Sequence, residues 1–492
     1  MKSMKKYVIV ILLVVFSGCA RGNHDLSFDK ISHDPVALRI MLAEMPKGAE
    51  LHTHLSGIPY AEDYLTWAAA DKACIDKTSS RIVEGPCGNN SIPVRQLFVK
   101  SNIWNTVVDT LSDRQNLQDN KIWGHDHFFD TFGKFGVATD NRGRMLAYAA
   151  KQAYRDNVQY EEIMLSIYGP HGVASLSKQV GWDGNFDSTL KKLKKAGLYS
   201  EMDQAIKIFD AAEDLKNQIL SDGNGSKVLQ RYINQVIRVS EPANVFCQMA
   251  WSFELVRKDP RVIGVNLVAP EDDPIAIRDY KLHMDMLDFF HNIYPDVPIT
   301  LHAGELTPLL ATPEALSDHI FLAITKGHAK RIGHGVDIPY EKNARDTLAI
   351  MKEQGIALEC LLTSNDAILK VSGKNHPVHM YIKSGVPVAF STDDMGIARS
   401  TLTNEYVTAV IDQGLTYADL KNAARNSLEY SFLEGHSLWA DVSPYKMIKA
   451  CAENSGSDKE CKELLSNSSK ATQQWELEQK LKDFETNYLA AH

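Results

Sequence analysis

The residues of this chain that could do chemistry stand at the ends of short apolar runs. In the stretch 298–305, Pro-Ile-Thr-Leu-His-Ala-Gly-Glu, a β-branched run stops at His302, and a carboxylate follows at Glu305. Upstream, His52 and His54 lie one residue apart in another run. On a strand, side chains at that spacing leave the same face. Downstream, His334 closes Arg331-Ile332-Gly333-His334, and Asp393-Asp394 follow Phe390-Ser391-Thr392. His52, His54, His302 and Asp393 offer three neutral nitrogens and one carboxylate oxygen, a set suited to one zinc ion with a coordination position left open to water. Zinc brings bound water to a pKa of about 7. Glu305 is a candidate proton donor to a substrate, and His334 a candidate general base or electrostatic partner for an attacking water. Asp394 is a candidate acceptor of a hydrogen bond from the substrate. The implied chemistry is metal-assisted hydrolytic attack on an electrophilic carbon. His125-Asp126-His127 has the same spacing, but it stands beside Phe128 and Phe129 in a stretch that reads as helix. There, positions two apart do not share a face, so this pair is expected outside the site.

These residues converge only if the runs are parallel strands of one sheet. Eight runs recur: Ala49 to His54, Tyr160 to Ile167, Asn244 to Trp251, Val262 to Val268, Val297 to His302, Lys330 to His334, Ile356 to Leu361 and Val386 to Ser391. Helical periodicity between the later ones, as in Thr312 to Thr325 and Asn343 to Glu353, points to βα units. The expected fold is α/β, a (β/α)8 barrel, whose active sites sit at the C-terminal rim of the strands. Expected boundaries are a leader at 1–19, a tether at 20–44, the barrel at 45–435 and a helical extension at 436–492. Helical insertions are expected at about 60–155 and 170–243, the second with a charged helix around Leu190 to Lys227. Glu476 to Tyr488 reads as a solvated terminal helix.

Composition narrows the function classes. The chain has 492 residues, 44% of them hydrophobic, and a formal net charge of −9. That acidic balance argues against nucleic acid as a partner. Lys2, Lys5 and Lys6 precede an apolar run from Tyr7 to Phe16 and then Ser17-Gly18-Cys19, a pattern similar to a bacterial lipoprotein signal. The expectation is export to the cell envelope, with a lipid anchor on Cys19 as the only membrane contact. Cys74 and Cys87 bracket one polar stretch and Cys451 and Cys461 another, and both pairs are candidate loop disulfides. Cys247 and Cys360 lie in apolar runs and read as buried thiols.

Taken together, Met45-Pro46-Lys47-Gly48-Ala49-Glu50-Leu51-His52-Thr53-His54-Leu55-Ser56-Gly57, His302-Ala303-Gly304-Glu305, Gly333-His334-Gly335 and Ser391-Thr392-Asp393-Asp394 resemble the adenosine deaminase family of the amidohydrolase superfamily. The resemblance covers roughly 45–435. Weaker echoes fall at Thr363-Ser364-Asn365 and His376-Pro377. The leader, the Met-Pro-Lys-Gly lead-in and the cysteine-containing insertion are similar to the secreted, growth-factor-like branch. The family implies one zinc per chain and hydrolysis of the 6-amino group of a purine nucleoside. It also implies zinc on His52, His54, His302 and Asp393, protonation of purine N1 by Glu305, a water handled by His334, and Asp394 at N7. Ser56 stands where shorter cytosolic members have an acidic residue that meets the ribose. Ala269 stands where a glycine loop meets the purine. The alternative substrates are adenine, a nucleotide or an N6-modified adenosine.

Overall fold

The computed structural model describes residues 28–114, 124–221, 223, 225–453, 456 and 458–489. The leader and Cys19 lie outside the described residues. Eight parallel strands form the barrel: β1 (Gly48–His54), β2 (Val158–Leu165), β3 (Leu229–Ile237), β4 (Val262–Val268), β5 (Thr300–Ala303), β6 (Arg331–His334), β7 (Ala357–Cys360) and β8 (Val388–Phe390). They pair in sequence order as two four-stranded sheets. Single parallel bridges join β4 to β5 at Val265 and Ile299, and β1 to β8 at Thr53 and Asp393. The second closure places Asp393 against the histidines of β1. The Asp393 N–H donates to the His52 carbonyl (2.9 Å) and the His54 N–H to the Asp393 carbonyl (3.1 Å). Strands β2 and β4 are buried along their whole length, as strands between a barrel core and a ring of helices must be.

The third strand departs from the sequence expectation. Asn244 to Trp251 is not a strand; it lies inside the helix Pro242–Lys258. That helix reads as a continuous apolar run because ten of its residues, Val245 to Phe253 and Leu255, are buried. The true third strand, Leu229–Ile237, carries Gln230, Arg231, Asn234 and Gln235. These polar residues point to partners rather than to water. Gln230 Nε2 donates to Glu161 Oε2 (2.8 Å) and Asn234 Nδ2 to Ser252 Oγ (2.7 Å). The stretch 170–243 therefore contains a barrel strand. Before it come helices Ala174–Val180, Phe186–Lys195 and Met202–Ile219.

Between β1 and β2 the chain forms a small antiparallel sheet, with Cys74–Asp76 between Ile82–Val83 and Ser91–Pro93. Helices Ser101–Thr110, Gly124–Phe132 and Arg142–Arg155 follow. Cys74 is bonded to Cys87 and Cys451 to Cys461, while Cys247 and Cys360 are buried thiols. After the barrel, the helix Ser469–Phe484 is not simply solvated. It buries Leu477, Leu481 and Phe484 and pairs Glu478 with Arg425 through two bonds of 2.7 and 2.8 Å. Its apolar residues recur every three or four positions, the spacing of a face that docks. No helix among the described residues is long and apolar enough to cross a membrane.

Candidate active site

The rim at the C-terminal ends of the strands collects the residues singled out above. His302 Nε2 lies 3.0 Å from His52 Nε2 and 3.2 Å from His54 Nε2. Asp393 Oδ1 lies 3.6 Å from His52 Nε2 and 3.3 Å from His54 Nε2. The partner on the far side of each ring decides which nitrogen carries the proton. His52 Nδ1 donates to Glu359 Oε2 (2.5 Å), and His54 Nδ1 donates to Gln235 Oε1 (2.6 Å). His302 Nδ1 donates to Asn266 Oδ1 (2.8 Å), an oxygen also marked by the His302 backbone N–H (3.4 Å). A neutral imidazole has one proton, so three Nε2 lone pairs face one another. Asp393 adds a fourth: Ser364 Oγ donates to its Oδ2 (2.7 Å), and its Oδ1 is buried with no protein partner. Lone pairs this close repel unless a cation sits among them. Burial alone would lower the His52 pKa, yet without a cation Asp393 and Glu359 lift it to about 10, so the cluster takes up a proton where a metal would otherwise supply the positive charge. The donor set fits a divalent metal, and zinc in particular by its nitrogen-rich character.

A second grouping is also compact. His52, His302, His334 and Asp393 each offer a ligand atom within 4.8 Å of the others, as do His54, Asp393 and Asp394. His334 ends β6 with φ +70°, and Asp393 has φ +61°, left-handed conformations that non-glycine residues adopt at a cost. Strain of this kind is common where side chains are aimed for chemistry. Gly333 explains why the motif needs a glycine before the histidine: a Cβ there would lie 2.4 Å from His52 Cε1.

Two carboxyls at the rim are pushed toward their protonated forms. Burial, and then the nearby charge of Asp393, push the Glu305 carboxyl well above the usual range. The same two causes push Asp394 up. That shift favours the acid form of Asp394, a hydrogen-bond donor, where the sequence suggested an acceptor. Burial lowers the His334 imidazole to about 3, so it is neutral. The loop bearing Glu305 is held by Glu271, which accepts from the Gly304 N–H (3.2 Å) and the Glu305 N–H (2.9 Å). Burial would raise Glu271, but the His319 bond (2.6 Å) and Arg238 hold it at about 2, ionised.

A cavity of about 460 Å³ opens onto this cluster. His54, Ser56, Gln235, His302, Glu305, Asp393 and Asp394 give its lining polar groups, and Phe128, Phe129, Phe132, Ile237, Val239, Val268 and Ala269 apolar ones. His52 and His334 lie behind that surface, both fully buried. Ser56 and Ala269 both line this cleft. Ala269 has φ +84° and its carbonyl accepts from Arg238 Nε (2.7 Å). His125 and His127 stay apart from the cluster. The first bonds Asp126 and Asp272, and the second donates to the carbonyls of Asp109 and Ser112. Their helix instead supplies the phenylalanines of the cleft.

Sequence reasoning missed the residues that orient the ligands. Glu359 sits on β7 inside an apolar run and also accepts from Arg331 Nε (2.5 Å) and Thr300 Oγ1 (2.9 Å). Gln235 and Asn266 sit on β3 and β4. A charged or amide side chain within a buried strand needs partners, and that was the signal that could have found all three.

Comparison with known proteins agrees with this geometry. The sequence model of the family described as adenosine deaminase matches residues 105–438. An adenosine deaminase of Serratia proteamaculans is 37% identical over 136 residues, 27% of this chain and 38% of that enzyme. One from Clostridium botulinum is 31% identical over 186 residues, 37% of this chain and 51% of that enzyme. The matched stretches thus span about two fifths to a half of these relatives. Among solved structures, an amidohydrolase of Burkholderia ambifaria with bound zinc superposes with a TM-score of 0.55 at 16% identity, covering 92% of this chain and 95% of that one. An N6-mAMP deaminase of Arabidopsis superposes with a TM-score of 0.50 at 19% identity, covering 80% and 95%. At such identities the superpositions establish a shared barrel.

Proposed function

The chain belongs to the adenosine deaminase family of the amidohydrolase superfamily, and from that premise we propose that it hydrolyses adenosine, or deoxyadenosine, to inosine and ammonia. The observation that carries the proposal is one cleft in which a metal-ready His/Asp cluster faces two buried carboxyls, Glu305 and Asp394, whose pKa values burial and Asp393 raise. His52, His54, His302 and Asp393 would hold one zinc, which supplies an activated water near neutral pH. Glu305, protonated, gives its proton to purine N1, so that electron density leaves C6. Asp394 donates a hydrogen bond to N7 and fixes the ring in its plane. His334 orients the water that attacks C6. The hydroxyl added at C6 gives its proton, relayed by the Glu305 carboxylate, to the 6-amino group, which leaves as ammonia. The 6-oxo oxygen comes from water, whose remaining proton restores the Glu305 acid.

The lining of the cleft favours a nucleoside over a nucleotide. None of its described residues is lysine or arginine, and Asp273 joins Asp393, Asp394 and Glu305 among them. A phosphate there would meet carboxyls instead of the cationic or N–H donors it needs. Ser56 supplies a hydroxyl toward the sugar. The two disulfides suit an oxidising compartment, in keeping with export and a lipid anchor on Cys19. They suit equally the secreted, growth-factor-like branch. The test is a purine panel with ammonia detection on zinc-loaded protein. Adenosine should turn over at a higher kcat/KM than AMP, adenine or N6-methyladenosine. Preference for AMP would overturn the nucleoside assignment.

A further inference from the structure

Behind His334 lies a hydrogen-bonded chain whose polarity can be read from one fixed point. His376 is buried, and its Nδ1 accepts from the backbone N–H of Val378 (3.2 Å). A backbone N–H can only donate, so this nitrogen holds a lone pair and the ring proton is on Nε2. That Nε2 lies 3.0 Å from Asn365 Oδ1, which accepts from it. The carboxamide is thereby oriented, and its other end, the Nδ2 amine, faces His334 Nδ1 at 2.8 Å. An amide NH2 offers only protons, so His334 Nδ1 must accept.

We propose that His376 and Asn365 act as positioning residues that lock the single ring proton of His334 on Nε2, the nitrogen left without a protein partner beside the metal cluster. His334 Nε2 is buried with no protein partner, and its ring lies 5.2 Å from His302 and 5.3 Å from His52, centre to centre. The locked proton has two effects. With a proton on Nε2 and the Nδ1 lone pair engaged by Asn365, His334 has no free lone pair to give a metal. It is thereby kept out of the ligand set although it lies within reach, and His54 takes the place. On the proposed deaminase reading, His334 also meets the attacking oxygen as a hydrogen-bond donor and not as its base. It steers a lone pair of that oxygen toward the ring carbon. No proton is lost or gained by His334 in this role.

The tautomer can be read without turnover. Protein labelled with 15N-histidine gives two-bond nitrogen–proton correlations that distinguish a protonated from an unprotonated ring nitrogen. The His334 signal is assigned by its loss in His334→Asn. The expected spectrum, in zinc-loaded protein, has His334 protonated at Nε2 and bare at Nδ1. Asn365→Asp replaces the donor with a carboxylate and should draw a proton onto Nδ1, with kcat falling about 10- to 100-fold and KM changing little. His376→Leu should weaken the preference, and His376→Gln, whose amine can again donate to Asn365, should restore the Nε2–H signal. A wild-type His334 protonated at Nδ1, or an Asn365→Asp spectrum identical to wild type, overturns the proposal. The wild-type spectrum decides even where a variant fails to fold. A predicted spectrum in a protein that deaminates no purine would sink the functional reading and leave the relay standing.

Discussion

Replacing Glu359 by glutamine is the sharpest perturbation of the metal cluster that leaves every ligand in place. Glu359 is fully buried on β7 and serves His52 Nδ1, Arg331 Nε and Thr300 Oγ1 at once. Burial would raise its pKa, but Arg331 and His52 hold it at about 2, so it is ionised. Glutamine keeps the shape and has one acceptor end. Arg331 Nε–H can only donate, so the amide oxygen must stay with Arg331 and the amine must turn to His52. The amine then donates to Nδ1 and drives the His52 proton onto Nε2, where a ligand lone pair is required. Partners of metal-bound histidines are worth about 10- to 100-fold in metal affinity, or about 1.4 to 2.7 kcal/mol. The stability cost should stay below the roughly 3–5 kcal/mol of a fully broken buried pair, because Arg331 keeps both Glu162 (2.6 Å) and the amide oxygen. Chelator competition gives the zinc affinity of wild type and variant. Thermal unfolding with and without zinc gives a second reading, in which the gain on adding metal shrinks by about 1.4 kcal/mol per tenfold loss of affinity. A Glu359→Gln protein that binds zinc like wild type would refute the tautomer argument for the whole cluster.

The site sets three further outcomes. Glu305→Gln keeps the loop bonds but removes the acidic proton, so kcat should drop about 10²- to 10⁴-fold with zinc stoichiometry unchanged; retained turnover would remove Glu305 as the donor. Gly57→Ala places a Cβ 1.6 Å from Asp394 Oδ1, and the shift it forces should cost about 10²-fold in kcat/KM; wild-type kinetics would show that Asp394 does not position substrate. Glu271, held at about 2 against an ordinary 4.5, contributes stability that is present above about pH 4.5 and lost as pH falls toward 2. The melting-temperature gap between wild type and Glu271→Gln should therefore be widest near neutrality and close in acid; a gap independent of pH would contradict the assignment.

Much of the rim was legible because barrel strands deliver their last residues to one place. His52 and His54 share a face by strand periodicity alone, and His302, His334 and Asp393 each close an apolar run. What stayed hidden has a common physical cause. Sequence reading equates strands with apolar runs, yet β3 is polar because it faces a polar interior and carries Gln235. The helix Pro242–Lys258 was mistaken for a strand for the converse reason, since it is buried on nearly all sides and lacks an amphipathic stripe. Glu359 and Asn266 were invisible as orienting groups because their partners are 307 and 36 residues away in sequence. The upward shift of the Asp394 carboxyl depends on burial beside Asp393, which no residue type announces.

The central claim is that the rim binds one metal and uses it to deaminate adenosine. The direct measurement takes metal-free protein titrated with zinc, with adenosine loss and ammonia release recorded at each point. The account predicts no turnover without metal, activity rising to a plateau near one zinc per chain, and one ammonia for each inosine formed. Full zinc occupancy with adenosine left intact would contradict it.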